Sequence, residues 1–297
     1  MYRPWLSLTL ALVVTIFLSA CTTQAPPTPI STITSNSSTQ LNIKSANRIV
    51  ALSSLSADII AQLDQTKLVG ISGSSLFKND SRFQAIPKVS EGQSPPNLEK
   101  IVSLKPDLVI GAAGFSDPIL QKLNQLQIPT VSTKINSWQS LEAFTKQIAQ
   151  AMNVDSAPLL KRYQSLIASK NSRNLSTLVL VSRQPILTPN KNSWAGDLLT
   201  QFGAKNVAAD LQGKSPIGGY VTLSAERILA ANPDILIVVN AEPTLLDSLK
   251  KESFWNRLKA TKNNQVYVFD YYGLVNPGSL EAIEKACSQL KDILTKQ

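Results

Sequence analysis

Three serines in this 297-residue chain stand three residues before a lysine, a spacing that could support a serine nucleophile with lysine as its base. They are Ser75, Ser248 and Ser288. The chain contains no histidine, so Ser-His-Asp and Cys-His nucleophile systems are excluded. The Lys-Thr-Gly and Ser-Asp-Asn segments that complete a Ser-x-x-Lys site are missing as well. An exported Ser-x-x-Lys serine hydrolase is therefore kept only as the alternative to a protein that is not an enzyme.

Residues that usually bind metals are also scarce. Two cysteines, Cys21 and Cys287, cannot form a four-cysteine zinc site or an iron–sulfur cluster, and the absence of histidine removes the usual axial ligand of haem. The sequence predicts no cofactor, no metal bound directly by side chains and no disulfide framework. We expect Cys287 to be buried, because it lies beside Ile283 and Leu290 on the apolar face of an amphipathic C-terminal helix.

The N-terminus predicts export. Arg3 is followed by a largely apolar run from Leu6 to Ala20, which is shorter than the ~20 residues of a membrane-spanning helix. The run leads into Leu18-Ser-Ala-Cys21, which resembles the bacterial lipobox. The resemblance implies that residues 1–20 are removed as a signal peptide and that Cys21 is acylated. The protein would then be anchored in the cell envelope by lipid alone, facing the periplasm or extracytoplasmic space.

A tether follows the predicted anchor. Residues 21–45 are rich in serine, threonine, proline and asparagine and too poor in large apolar side chains to pack, so we expect them to be disordered. Of the 29 basic residues the leader holds one, Arg3, so the mature chain keeps 28 against 20 acidic residues, a net charge of +8. The basic residues are scattered without runs, so no nucleic-acid partner is expected, and an anionic ligand or the envelope surface is favoured.

A repeated segment predicts the domain organisation. The segment from Asn97 to Ile110 recurs from Ser224 to Ile237, 127 residues later, with a glutamate and a Pro-Asp pair at the same places. Each copy predicts an N-cap, a short helix with an acid in its first turn, and then a buried strand. Two α/β lobes of similar plan follow, an N-terminal lobe over 46–136 and a C-terminal lobe over 173–297.

Alternating apolar segments complete this plan. Strands are predicted at 48–53, 68–71, 128–132, 178–182 and 265–269, and helices at 56–63, 117–126, 193–202 and 279–294. Such alternation predicts parallel sheets. A nearly continuous helical segment over 137–172 connects the lobes. The predicted fold is therefore α/β, with two Rossmann-like lobes that have parallel central sheets and are joined by a single long helix.

With these features the chain resembles the iron-siderophore/cobalamin class of ABC-transporter substrate-binding lipoproteins, over roughly residues 46–295. The resemblance implies a ligand cleft between the lobes, from which a small molecule is delivered to an ABC permease dimer with its ATPase subunits. It also implies that Glu99 and Glu226, one on each lobe, dock onto arginines of the permease. A monomer is expected.

Loops after the carboxyl ends of the strands should form the walls of the cleft. Aromatic, hydroxyl and basic residues of these loops are the expected ligand contacts. They are Ser53, Ser74, Phe115, Arg183, Trp194, Tyr220, Tyr271 and Tyr272. Adjacent tyrosines on a strand would point in opposite directions, so Tyr271 and Tyr272 are expected to contact a chelate or to pack rather than to bind bare iron together.

A ferric siderophore is the expected ligand, because such iron chelates are often anionic and Arg183 could bind their oxygens. Cobalamin is the first alternative for the same fold. Tyr220 lies six residues before Glu226, where cobalamin binders of this family place an aromatic residue, but the matching positions of the first lobe are Gln93 and Ala112. Haem is the second alternative, and it would have to bind without an axial histidine.

Overall fold

The computed structural model describes residues 31–33, 45–91, 94–167, 174–213, 215 and 217–295. The predicted signal peptide, Cys21, most of the predicted tether, Gln93 and the last residues of the predicted connector lie outside the described residues.

Short strands and helices alternate along the described chain. The strands are β1 (Ser31–Ile33), β2 (Ile49–Ala51), β3 (Leu68–Ser72), β4 (Lys88–Ser90), β5 (Leu108–Ala112), β6 (Thr130–Thr133), β7 (Ser176–Leu180), β8 (Leu187–Pro189), β9 (Lys205–Asn206), β10 (Tyr220–Thr222), β11 (Ile235–Asn240) and β12 (Val266–Asp270). The helices are α1 (Ser54–Asp64), α2 (Ser81–Gln84), α3 (Leu98–Ser103), α4 (Asp117–Gln125), α5 (Trp138–Met152), α6 (Ala157–Ile167), α7 (Trp194–Gln201), α8 (Ala225–Ala231), α9 (Leu245–Lys250), α10 (Lys259–Lys262), α11 (Tyr271–Leu274) and α12 (Leu280–Thr295).

Each lobe contains a parallel sheet. Among the described residues, the strand order is β1-β6-β5-β2-β3-β4 in the first lobe and β12-β11-β7-β9 in the second, and all neighbours in both sheets are parallel. An antiparallel ribbon, β10-β8, is added to the second lobe. The prediction of two α/β lobes with parallel sheets is confirmed.

One strand lies where the sequence predicts a disordered tether. Ser31–Ile33 form β1, which pairs with Val131–Thr133 of β6. The expectation of disorder is therefore wrong for these three residues. Without β1, strand β6 would be an edge strand with unpaired backbone groups, which readily accept a further strand.

The connection between the lobes is helical as predicted, but it consists of two helices rather than one. Helix α5 ends at Asn153, which adopts a left-handed conformation with φ of 54°. Asp155 then accepts a hydrogen bond from the backbone N–H of Ala157 at 2.8 Å, at the start of α6. Asparagine tolerates left-handed backbone and aspartate favours helix starts, so these two residues explain the break.

The repeated Pro-Asp pair fixes the start of each sheet. Asp107, just before β5, accepts backbone N–H groups of Asn47 at 2.8 Å and Arg48 at 2.9 Å, just before β2. Asp234, just before β11, accepts the backbone N–H and hydroxyl of Ser176 at 3.0 and 2.6 Å, at the start of β7. We call Asp107 and Asp234 the strand clamps. Each holds the strand of the repeat in register with its parallel neighbour.

The two lobes also share a core. Asp58 on α1 is 1% exposed, and its carboxylate accepts Arg82 Nη1 at 2.9 Å and the backbone N–H of Leu280 at 2.7 Å. A buried carboxylate requires such partners. Helix α12 therefore begins against the first lobe, and Arg162 of α6 also pairs with Glu284 of α12. The largest apolar cluster accordingly contains residues from both lobes and from α5.

Cys287 lies on α12 and is 2% exposed, which confirms the prediction of burial. Burial raises the pKa of its thiol to about 12, since the charged thiolate is poorly solvated there. Cys287 is therefore a small apolar side chain of the shared core.

We predict that Asp107→Ala and Asp234→Ala each lower the free energy of unfolding by about 1–3 kcal/mol, because each leaves backbone N–H groups without their charged acceptor. Urea unfolding at pH 7 measures this. Asp247→Ala is the control, because its side chain is 74% exposed and, among the described residues, Lys250 is its one ion-pair partner. A loss no larger than that of the control would contradict the assignment.

The contribution of Asp234 should also depend on pH. Two hydrogen bonds lower the pKa of Asp234 from its usual 3.8 to about 2, and the bond from Lys259 has a larger effect than the bond from Ser176. The stabilisation is complete above the unfolded pKa of 3.8 and is lost as pH falls through the folded value. Wild type and Asp234→Ala should therefore differ less in unfolding free energy at pH 2 than at pH 7.

Candidate ligand-binding site

Two adjacent tyrosines lie immediately after β12. The Asp270 carboxylate accepts the backbone N–H of Tyr272 at 3.1 Å and so begins the turn α11. The rings of Tyr271 and Tyr272 meet edge to face, with centroids 5.5 Å apart. The expectation that they point in opposite directions is wrong, because β12 ends at Asp270 and strand alternation ends with it. The two half-buried rings form one aromatic surface.

Tyr220, at the start of β10, is near enough to Tyr271 for the two side chains to interact electrostatically. It is 7% exposed. Burial is the main cause that raises the pKa of its phenol well above the usual range, and the electrostatic effect of Tyr271 is the second cause. Its hydroxyl therefore keeps its proton and can donate a hydrogen bond. Tyr220, Tyr271 and Tyr272 are the residues that we call the tyrosine cluster.

Trp194 contacts the turn that carries Tyr271 and Tyr272. It is 3% exposed, its indole Nε1 donates to the Gly273 carbonyl at 2.7 Å, and its ring stacks on Trp138 with centroids 6.0 Å apart. The structure thus places Trp194 in the core and not at the cleft surface, where the sequence predicts it. Trp138, at the start of the connecting helix α5, is a supporting residue that sequence reasoning missed.

Gly273 makes the turn possible. Its φ is +95°, and a Cβ atom here would lie 2.0 Å from the Ala282 carbonyl oxygen. Only glycine fits this conformation and this approach to α12. The turn that carries Tyr271 and Tyr272 is therefore fixed from one side by Trp194 and from the other by α12.

Two of the predicted ligand contacts in the first lobe, Ser53 and Ser74, have hydroxyls that form hydrogen bonds within the protein. Ser53 caps α1 by accepting the backbone N–H of Ser56 at 3.2 Å, and its hydroxyl is also 2.7 Å from that of Ser56. Ser74 accepts the backbone N–H of Leu76 at 3.3 Å. Both serines are half-buried at strand carboxyl ends, where they order the loops.

Phe115 has the opposite character. It is 91% exposed, on a turn after β5. The backbone N–H of Ala112 donates to Ser116 Oγ at 3.1 Å, and that of Gly114 donates to Asp117 at 2.9 Å. These bonds hold the turn, so a large apolar ring projects into solvent from a fixed backbone. Aromatic side chains are enriched in binding interfaces, so Phe115 remains a candidate ligand contact.

Two contacts bring the lobes together near the tyrosine cluster. Leu76 and Tyr272 both pack around Gly278, since a Cβ there would lie 2.7 and 2.6 Å from their Cδ1 atoms. Asn136 Nδ2 donates to the Asn192 carbonyl at 3.4 Å. The loop that carries Ser74 therefore lies beside the tyrosine cluster, across the junction of the lobes.

Arg183 follows β7, and its guanidinium Nε donates a hydrogen bond to the Glu252 carboxylate at 2.6 Å. The sequence singled out Arg183 but gave no indication of Glu252, which lies 69 residues further along the chain. A partner so distant in sequence can be found only from the tertiary structure.

Glu99 and Glu226 are exposed in the first turns of α3 and α8. The predicted N-caps are confirmed, since Asn97 accepts the backbone N–H of Lys100 at 2.9 Å and Ser224 that of Arg227 at 3.4 Å. A hydrogen bond from Ser224 lowers the pKa of Glu226, so this carboxylate is charged at neutral pH.

Within the described residues, no group of three or more histidine, cysteine, aspartate or glutamate side chains could hold a metal ion. Ser75 and Ser288 of the Ser-x-x-Lys patterns are exposed, and Ser248 is half-buried on α9. None of the described helices has the length and hydrophobicity needed to cross a bilayer.

Residues 49–272 match the family described as periplasmic binding protein. The Bacillus subtilis ABC transporter substrate-binding lipoprotein YvrC is 26% identical over 76% of this chain and 74% of its own length. The Fe(3+)-citrate-binding protein YfmC of the same organism is 27% identical over 69% of this chain and 65% of its own. The vitamin B12-binding protein of Salmonella typhi is 27% identical over 84% of this chain and 91% of its own.

Solved structures share the fold. An ABC transporter substrate-binding protein from Listeria monocytogenes superposes with a TM-score of 0.71, at 23% identity, over 86% of this chain and 100% of that one. Staphylococcus aureus IsdE, solved in complex with haem, gives 0.67 at 24% identity over 84% of this chain and 99% of that one.

The chain belongs to the periplasmic binding protein family. It is a substrate-binding protein of the kind that serves ABC importers, and it is not an enzyme. Nothing in these comparisons supports the serine hydrolase alternative.

We predict that Gly273→Ala destabilises the protein by about 1–3 kcal/mol and disturbs the tyrosine cluster, because the added methyl group meets the Ala282 carbonyl at a left-handed position. Thermal unfolding and near-ultraviolet circular dichroism measure the two effects. Gly213→Ala is the matched control, since a Cβ there meets nothing within 4 Å. Equal behaviour of the two variants would show that the turn is not constrained.

Proposed function

We propose that this protein captures a ferric siderophore and delivers it to an ABC importer. The observation that carries the proposal is the tyrosine cluster at the junction of the lobes, with the exposed Phe115 and Arg183 at other strand ends. Aromatic rings suit the organic framework of a chelate, and a guanidinium suits its anionic oxygens. The mature net charge of +8 supports an anionic ligand, and the resemblance to a relative named for Fe(3+)-citrate binding supports an iron chelate.

Cobalamin is the second candidate. The Salmonella typhi relative, named for vitamin B12 binding, favours it, as does the position of Tyr220 ahead of Glu226. The first lobe opposes it, because Gln93 and Ala112 stand where cobalamin binders would supply aromatics. Haem ranks third, because the chain has no histidine to serve as its axial ligand.

We further propose that the mature chain begins at an acylated Cys21 and is held at the envelope by that lipid. The lipobox-like segment supports this, together with relatives named as lipoproteins. The partner would be an ABC permease dimer with its ATPase subunits. Intact-mass analysis of the native protein tests the start of the chain.

Titration of intrinsic fluorescence tests the ligand class. Ferric citrate, a ferric tris-hydroxamate, cobalamin and haem are added in turn, and we expect a ferric chelate to quench emission, because tyrosines form the site. The double variant Tyr271→Ala/Tyr272→Ala should bind that chelate at least about tenfold more weakly, a loss of ~1.4 kcal/mol.

Tyr267→Phe, in the strand β12 that precedes the pair, is the control and should bind normally, because the Tyr267 hydroxyl bonds to Gln265 rather than to the cluster. Tight binding of cobalamin with failure of every ferric chelate would reverse the order of the candidates.

We propose that Glu99 and Glu226 dock the protein onto basic residues of the permease. Both are exposed, both begin equivalent helices, and neither pairs with a basic side chain among the described salt bridges. Charges at the edge of an interface set orientation and encounter rate more than affinity. The N-caps Asn97 and Ser224 order the first turn that carries each acid, and the strand clamps fix the start of the strand that follows each helix.

The double variant Glu99→Arg/Glu226→Arg should therefore abolish uptake while ligand affinity in solution stays within about twofold of wild type. Uptake assays and ligand titration measure the two properties. Glu281→Arg, which reverses an acid in the first turn of α12, is the matched control and should leave uptake intact. If the double variant instead loses ligand affinity, these acids line the cleft and the docking assignment is wrong.

A further inference from the structure

The backbone that carries Arg183 is closed into a tight turn. Strand β7 ends at Leu180, and the backbone N–H of Val181 donates to the Leu187 carbonyl at 2.9 Å. Inside this turn the Ser182 hydroxyl donates to the Pro185 carbonyl at 2.6 Å. Arg183 therefore projects from an ordered turn at the carboxyl end of a central strand, the edge at which parallel sheets place their ligands.

The side chain of Arg183 is held as well. Its Nε donates to Glu252 Oε1 at 2.6 Å, with side-chain exposures of 40% for the arginine and 28% for the glutamate. Among the described residues, the guanidinium makes no other hydrogen bond or ion pair. Both Nη groups, and the four N–H bonds that they carry, are thus available to a ligand.

The backbone of Glu252 is held by two hydrogen bonds. Its backbone N–H donates to the Leu249 carbonyl and its own carbonyl accepts the N–H of Trp255, both at 3.0 Å. Glu252 also lies two residues before the fully buried Phe254, which belongs to a separate apolar cluster within the second lobe. Because the guanidinium is planar, a single fixed bond at Nε limits the direction in which the Nη edge can face.

We propose that Glu252 is a positioning residue that directs the Nη edge of Arg183 toward the ligand, and that this pair makes the protein select anionic ferric chelates over neutral ones. The inference rests on the proposed function and adds to it a substrate class and a residue. The Nη edge matches the spacing of two carboxylate oxygens. Prior immobilisation of a long side chain removes an entropy cost that binding would otherwise carry.

If Glu252 is only a counter-ion of Arg183, its removal should have the opposite effect on the affinity for an anionic ligand. The Glu252 charge would then repel an anionic ligand, and its removal would strengthen binding. The comparison of Glu252→Gln with Glu252→Ala separates these cases, because glutamine keeps an oxygen acceptor for Nε without the charge, whereas alanine removes both.

The test measures affinity of the full chain in detergent for two probes, ferric citrate as the anionic chelate and a neutral ferric tris-hydroxamate. We expect Glu252→Ala to lose at least about tenfold in affinity for ferric citrate and less than about twofold for the neutral chelate. Glu252→Gln should bind ferric citrate at least as tightly as wild type. Arg183→Gln should lose as much as Glu252→Ala, and the double variant Arg183→Gln/Glu252→Ala should lose no more than either, since the two residues act as one unit.

Glu242→Ala, which removes an exposed acid from the loop after β11, is the matched control for charge and should leave both affinities unchanged. Unchanged or tighter ferric citrate binding by Glu252→Ala would overturn the positioning role. Equal losses for both probes would show a structural role alone and would overturn the selectivity. Failure of the wild type to bind either probe would instead contradict the proposed function.

Discussion

The site depends on the packing of two tryptophans where the connecting helix leaves the first lobe. The first backbone N–H of α5, at Trp138, donates to Asp197 of α7 at 2.7 Å, and the Trp138 ring lies against Trp194. Trp194 in turn holds the Gly273 carbonyl, and with it the turn of the tyrosine cluster. The tyrosine cluster is thus fixed to the same buried contact that joins the lobes. A change in lobe orientation at this contact would also move the cluster.

Much of the fold could be predicted because its signals are local. N-caps at Asn97 and Ser224, the Pro-Asp pairs and the apolar strands each depend on a few neighbouring residues, and their recurrence indicated two lobes of one plan. Burial of Cys287 followed from the periodicity of one helix. In each case the free energy that decides the structure comes from contacts within a short segment or from one apolar face.

The details of the site could not be predicted in the same way, because they depend on contacts between distant segments. Trp194 looked available at a helix start, and only its contact with Trp138 shows it to be core. Strand alternation misplaced Tyr272 because Asp270 ends the strand there. Neither β1 nor the pairing of Arg183 with Glu252 has a local signal, since each joins segments at least 69 residues apart.

The internal repeat places matching features on the two lobes. Each lobe presents a glutamate in the first turn of an equivalent short helix, and a strand clamp follows that helix in the chain. A partner built from two identical subunits would meet a similar surface at either end of this molecule. Such a partner could accept the protein in two orientations, in which the acids of the two lobes exchange their contacts.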